Sequence, residues 1–225
     1  MIRDFIKKLN KKIIYGMIGL VGITVSISFI VNNINGVLVK EKNNMLQGKT
    51  IVIDAGHGGR DGGSEREGVK EKDINLSIAL KVEQLLQSEG AKVMMTRVDD
   101  KEVSLKEITQ ISNKNKADLL VSIHQNAIDD NVTYGIETWF EKTKSESGRL
   151  AELVQESIIE STNGKDRGLK FEESLYVTKN TEAPSVLVEC GFISSNTERE
   201  LLLNNNYQKS IASGIVKGIK QYFNK

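Results

Sequence analysis

Two kinds of apolar pattern alternate along residues 49–225. Short aliphatic runs bounded by polar or glycine-rich stretches predict buried strands. These are Ile51-Val52-Ile53, residues 93–96, residues 119–123, residues 136–140, Leu175-Tyr176-Val177 and Val186-Leu187-Val188. Between most of them, apolar residues recur every three or four positions. Residues 73–89 predict a helix with Ile74, Ile78, Val82 and Leu85 on one face and Gly90 at its C-terminal cap. Residues 103–115 predict a helix with Leu105, Ile108 and Ile111 inward, and residues 145–161 one carrying Leu150, Leu153, Val154 and Ile158. Residues 198–203 and 207–223 complete the set. Strands alternating with helices predict the α/β class: a single three-layer domain with a mostly parallel twisted sheet flanked by helices.

The pattern before residue 49 is of another kind. Residues 13–39 contain no charged side chain, and the segment 13–31 is apolar throughout. About 20 apolar residues span a bilayer as a helix. Arg3, Lys7, Lys8, Lys11 and Lys12 precede it, and positive flanks stay in the cytoplasm. The expectation is a cytoplasmic basic segment 1–12, a transmembrane anchor 13–31, a polar linker 32–48 and a catalytic domain 49–225 held outside the membrane. The alternative is a cleaved signal peptide and a secreted protein. Signal peptides have shorter apolar cores followed by small-residue sites of the A-x-A kind, and this chain has no alanine before Ala55. That favours the uncleaved anchor.

Charge divides along the same line. Residues 1–48 hold seven basic and two acidic side chains, whereas the remainder holds 24 basic and 28 acidic. A slightly acidic domain offers no electrostatic footprint for nucleic acid. Cys190 is the only cysteine, so no intrachain disulfide forms and the core must hold the fold. No internal repeat and no second, wall-binding domain is visible in the sequence.

Both histidines stand directly beyond a predicted strand: His57 in Asp54-Ala55-Gly56-His57-Gly58-Gly59, and His124 at the end of Val121-Ser122-Ile123-His124. Glu189 follows Val186-Leu187-Val188 in the same way. In open α/β sheets ligands bind outside the carboxyl ends of the strands, so these groups are expected at one sheet edge. Imidazole and carboxylate together suit zinc, whose catalytic sites use three protein ligands and leave one position open. Glu71, at the start of the first helix and after a glycine-rich loop, is a candidate third ligand. Two plain hydrogen-bonded histidines are the competing reading, and residue chemistry alone does not choose between them. The glycine-rich loop 56–63 also resembles a phosphate cradle. It lacks the following Lys-Ser/Thr of a P-loop and does not run directly into a helix.

Five motifs then occur in one order: Asp54-Ala55-Gly56-His57-Gly58-Gly59, Glu71-Lys72-Asp73-Ile74-Asn75-Leu76, Met95-Thr96-Arg97, Ser122-Ile123-His124-Gln125-Asn126-Ala127, and Leu187-Val188-Glu189-Cys190-Gly191-Phe192-Ile193-Ser194. Together, over nearly all of residues 50–223, they resemble the zinc-type N-acetylmuramoyl-L-alanine amidases of cell-wall hydrolases. The resemblance implies that His57, Glu71 and His124 bind Zn2+, and that Glu189 is the catalytic glutamate. It implies peptidoglycan as substrate, cut at the amide between the lactyl group of muramic acid and L-alanine. Glu189 would take a proton from water and pass it to the leaving nitrogen. The N-terminal anchor and the lack of a wall-binding repeat are similar to the sporulation and germination-specific cortex amidases of endospore formers. That would place the domain between the forespore and mother-cell membranes, ahead of muramic lactam formation. A regulatory or activating protein partner is compatible with this reading and is not identified by the sequence.

Three positions depart from the family pattern: Ala55 replaces a proline, Ile108 stands where arginine is common, and Ser195 stands where asparagine is usual. Of the remaining polar residues, Glu137 is a candidate for lining the groove. Arg60, Asp61, Arg97 and Asn126 are candidates for substrate contact or for supporting the ligands. The competing functions are a zinc carboxypeptidase acting on stem peptides and a non-catalytic wall-binding or regulatory protein.

Overall fold

Ile51, Val52 and Ile53 are all fully buried, in a strand that has helices on both sides. The computed structural model describes residues 44–224. The expected basic segment 1–12, the anchor or signal peptide 13–31 and most of the linker 32–48 lie outside the described residues. Among the described residues no helix is long and apolar enough to cross a membrane. Leu46, just before the first strand, is fully buried in the core.

Six strands form one sheet: β1 (Thr50–Ala55), β4 (Lys92–Met95), β5 (Leu119–Asn126), β6 (Ile136–Phe140), β7 (Asp166–Phe171) and β8 (Ser185–Phe192). Their spatial order is β4-β1-β5-β8-β6-β7. All neighbours pair in parallel except β6 and β8, which are antiparallel. A separate hairpin, β2 (Glu65–Arg66) with β3 (Val69–Lys70), forms inside the glycine-rich loop. The mostly parallel α/β sheet expected from the sequence is therefore present.

Helices α1 (Glu71–Ser88), α3 (Ser145–Thr162) and α6 (Asn205–Phe223) gather the larger core on one face. Ile74, Ile78, Val82 and Leu86 of α1 meet Ile53, Val121 and Ile123 there. Leu86, rather than the expected Leu85, is the fully buried end of that stripe. Helices α2 (Leu105–Lys114) and α4 (Tyr176–Asn180) lie on the other face, over a small cluster of Val52, Ile108, Leu120 and Val177. Helix α5 (Asn196–Leu203) follows β8.

Two expectations need correction. Leu175-Tyr176-Val177 is not a strand: Leu175 caps the short helix α4, and a run of three β-formers is too short for periodicity to separate the two states. Leu105 does not point inward but stands 54% exposed in the first turn of α2. That helix starts with a capping box. The Ser104 hydroxyl accepts from Glu107 N, and the Glu107 carboxylate accepts from Ser104 N at 3.0 Å. Strand β7 has no counterpart among the predicted strands. Its sequence DRGLKF is a half-exposed edge strand with little apolar signal.

Candidate metal centre and active-site cleft

His57, Glu71 and His124 converge at the carboxyl edge of the sheet. One ligand atom from each lies within 4.8 Å of the others. Glu71 Oε1 is 3.2 Å from His57 Nε2 and 3.0 Å from His124 Nδ1. A tetrahedral ion with bonds of about 2.0–2.1 Å would set its ligand atoms about 3.3 Å apart. The donor set suits a metal of the zinc kind, and its two glutamate–histidine spacings match those of such an ion.

Two of the candidate ligands, His57 and Glu71, are held from behind. Asp61 accepts from His57 Nδ1 at 2.8 Å, which turns Nε2 toward Glu71. Glu71 Oε2 accepts from Ser64 N at 2.9 Å. Its Oε1 also receives Asn75 Nδ2 and Gln125 N, each at 3.1 Å. His57 sits at φ 63°, a left-handed backbone that costs a residue with a Cβ. Gly56 lies so close to His124 that a Cβ there would come within 2.3 Å of the imidazole. The register of β5 and β8 shifts between His124 and Asn126, the local irregularity common beside active sites.

The charges agree with a cation site. Burial alone would lower the His57 imidazole, but the hydrogen bonds and charges of Glu71 and Asp61 outweigh it and raise it to about 9. His124 is raised in the same way, burial opposing and Glu71 prevailing. Burial would raise Glu71, yet its two histidine partners pull it well below the ordinary carboxylate range. The centre is built to stabilise positive charge around a fixed anion.

Arg97 explains how loop and helix are kept together. It is buried and donates to Ala55 O (2.7 Å), Gly56 O (3.1 Å), Lys72 O (2.7 Å) and Asp99 O (3.0 Å). One guanidinium thereby ties the loop that carries His57 to the helix turn that carries Glu71. It braces the backbone beside the candidate ligands His57 and Glu71. Lys72, which the sequence did not single out, adds a second tie through Gly59 O and the Asp100 carboxylate. Arg60 is solvent-facing and, among the described residues, pairs only with Glu102, 3.7 Å away.

Glu189 stands beside His124 in the β5–β8 register and beside Glu137 in the β6–β8 register. Its Oε2 is buried and has no hydrogen-bond partner among the described residues. Burial, chiefly, and the nearby Glu71 and Glu137 charges lift its carboxyl to about 7. A carboxyl poised there exchanges protons readily near neutral pH. Glu137 is buried and well partnered. Its oxygens accept from Asn126 Nδ2 (2.8 Å), Trp139 Nε1 (3.1 Å) and Arg167 Nε (2.9 Å). Cys190 points into the core, as expected of the residue after Glu189, and burial pushes its thiol up.

A cleft of about 450 Å³ opens at this edge, with Gly56, His57 and His124 at one end and Leu105, Ile108, Tyr176 and Leu187 along its walls. Of the three departures, Ile108 gives this cleft an apolar wall. Ala55 keeps an N–H that proline lacks, donated to Thr96 Oγ1 at 3.3 Å. Ser195 caps α5 through Glu198 N, a task asparagine performs equally well.

Comparison with known proteins agrees with this arrangement. Residues 51–221 match the family model described as N-acetylmuramoyl-L-alanine amidase. The germination-specific N-acetylmuramoyl-L-alanine amidase of Bacillus subtilis (strain 168) is 33% identical over 192 residues, covering 79% of this chain and 81% of its own. The crystal structure of N-acetylmuramoyl-L-alanine amidase from Clostridium difficile 630 superposes with a TM-score of 0.76 at 38% identity, over 79% of this chain and 97% of that one. The CwlD amidase from Clostridioides difficile, solved in complex with the GerS lipoprotein, gives 0.75 at 36% identity, over 78% and 98%. On sequence and fold together, the chain belongs to the N-acetylmuramoyl-L-alanine amidase family.

Proposed function

We propose that this chain is a zinc-dependent peptidoglycan amidase in which His57, Glu71 and His124 hold the metal and Glu189 carries the proton. The observation that carries the proposal is the unpartnered, buried Glu189 Oε2 beside a cluster of three converging ligands. Zinc, when bound, supplies Lewis acidity that acidifies water toward a pKa of about 7 and polarises a carbonyl. Glu189 takes the proton of the attacking water and delivers it to the alanine nitrogen as the amide breaks. Asp61 keeps the His57 ring turned, and Asn75 and Gln125 keep Glu71 Oε1 aimed at both histidines.

Spore cortex peptidoglycan is the substrate we favour, on the likeness to the germination-specific relative. The charge-free stretch of residues 13–39 behind five basic residues supports an anchor at 13–31 and an extracytoplasmic catalytic domain from residue 49. The GerS complex of the Clostridioides difficile relative supports a lipoprotein-type partner here as well.

The full chain incubated with purified peptidoglycan, with zinc or with a chelator, tests the reading by mass spectrometry. Intact stem peptides and peptide-free glycan are expected with zinc only. Release of single amino acids would instead identify a carboxypeptidase, and no product a binding protein.

A further inference from the structure

The row of side chains that starts at His124 does not stop at Glu189. Register sets His124 opposite Glu189 and Glu189 opposite Glu137, and Arg167 of β7 extends the row through its bond to Glu137. Directly paired residues project from the same sheet face. Four adjacent strands thus present imidazole, carboxylate, carboxylate and guanidinium in line. Trp139 lies two residues past Glu137 and shares its face. Its indole N–H is fixed on Glu137 Oε1. Register places Leu187 on one side of Trp139 and Lys170 on the other. The helix packed on β6 is α3, reached from the opposite face through Thr138 and Gln155.

Arg167 is pre-positioned. Its Nε is bonded to Glu137, and its guanidinium lies 4.7 Å over the Phe192 ring. Nη1 reaches Tyr134 O only at 3.5 Å, and Nη2 has no partner among the described residues. Glu137 already accepts three hydrogen bonds and holds the arginine and the indole in place. Such a fork suits a carboxylate.

The two sides of the metal centre therefore differ in lining. The α2–α4 arm is walled by Ile108, Leu105, Val177 and Leu187. The β6–β7 side, beyond the lining of that cleft, carries Arg167, paired with Glu137, and Lys170 beside Trp139. The two halves of a muramoyl peptide differ in the same sense. The glycan is uncharged once the muramic carboxyl is tied up in the amide, whereas the stem peptide bears free carboxylates. We propose that the β6–β7 face is the stem-peptide subsite, with Arg167 binding a peptide carboxylate over the Trp139 floor, and that the glycan occupies the α2–α4 arm. This rests on the amidase reading and fixes the direction in which substrate lies.

The test uses two muramoyl peptides identical except that the stem carboxylates are all free in one and all amidated in the other. The wild-type full chain is expected to favour the free form by about ten-fold, through KM. Arg167→Gln should erase that preference, Lys170→Gln should reduce it, and Arg167→Lys, which keeps Glu137 paired, should keep only part of it. A purely structural role for Arg167 would slow both substrates alike and leave the preference intact. Calorimetric titration of the free and amidated stem peptides into the full chain reads the subsite without turnover, so it is judged separately from the amidase reading. Equal binding and equal KM for the two forms in the wild type would overturn the proposal, as would a preference that survives Arg167→Gln.

Discussion

The two faces of the sheet divide the labour of the molecule. On the face toward α1, α3 and α6, the strands contribute Ile51, Ile53, Val121, Ile123, Val186 and Val188, all fully buried among aliphatic neighbours. On the other face the same strands contribute Asp54, Ser122, His124, Glu189 and Glu137, and the apolar cluster shrinks to Val52, Ile108, Leu120 and Val177. A period of two lets one strand serve both ends. The comparison teaches that stability and chemistry are separable here, residue by residue, along a single strand.

Substitutions on the polar face should cost turnover and spare stability. Glu189→Gln is the largest expected effect: a fall of at least about a thousand-fold in kcat, measured as peptide release, with zinc content unchanged. Thermal melting of the metal-free variant at pH 8 should be equal to or higher than that of metal-free wild type. The sign follows from linkage. The Glu189 carboxyl is raised to about 7 in the fold. The wild type therefore loses stability as pH rises from the unfolded carboxylate range through about 7, and the amide does not. A variant that stayed active would break the separation at its centre.

The mirror experiment is Ile158→Ala on the apolar face. Ile158 is fully buried in α3. The truncation should cost about 2–5 kcal/mol in denaturant unfolding, while kcat of the folded fraction holds. Next comes the acid limb of the pH–rate profile. Glu189 must be ionised to take a proton, so kcat should fall about ten-fold per unit well below its pKa. A bound dication draws that midpoint below the value of about 7 set by burial. The limb should vanish in the residual activity of Glu189→Gln. The smallest effect is at Ser195, beyond the end of β8. Ser195→Ala should cost about 1 kcal/mol by uncapping α5, and Ser195→Asn close to nothing.

The period-two logic also explains what could be read beforehand. Ile51 to Ile53, 119–123 and 186–188 are near-continuous apolar runs because their strands are covered on both faces, and such runs announce themselves. His57, His124 and Glu189 were placed at one edge because each follows such a run. Glu71 needed family resemblance, since its approach depends on how the loop 56–70 folds back, and the small hairpin β2–β3 inside that loop leaves no periodic trace. Strand β7 was invisible because an edge strand that carries Asp166, Arg167 and Lys170 looks like a loop. With β7 went the partner of Glu137. Arg97 and Lys72 act through backbone carbonyls, and no side-chain pattern foretells which carbonyls will lie within reach.

The strand order β4-β1-β5-β8-β6-β7 has a consequence in time. Glu189 comes on β8, the last strand of this sheet along the described chain, yet β8 slots into the middle of the sheet, between β5 and β6. Until β8 has been made and inserted, His57, Glu71 and His124 stand without Glu189, and the β6–β7 pair is not joined to the rest of the sheet. Contacts so distant in sequence form slowly. A wall-cutting enzyme assembled in this order has its full set of candidate site residues only after β8 has docked between β5 and β6.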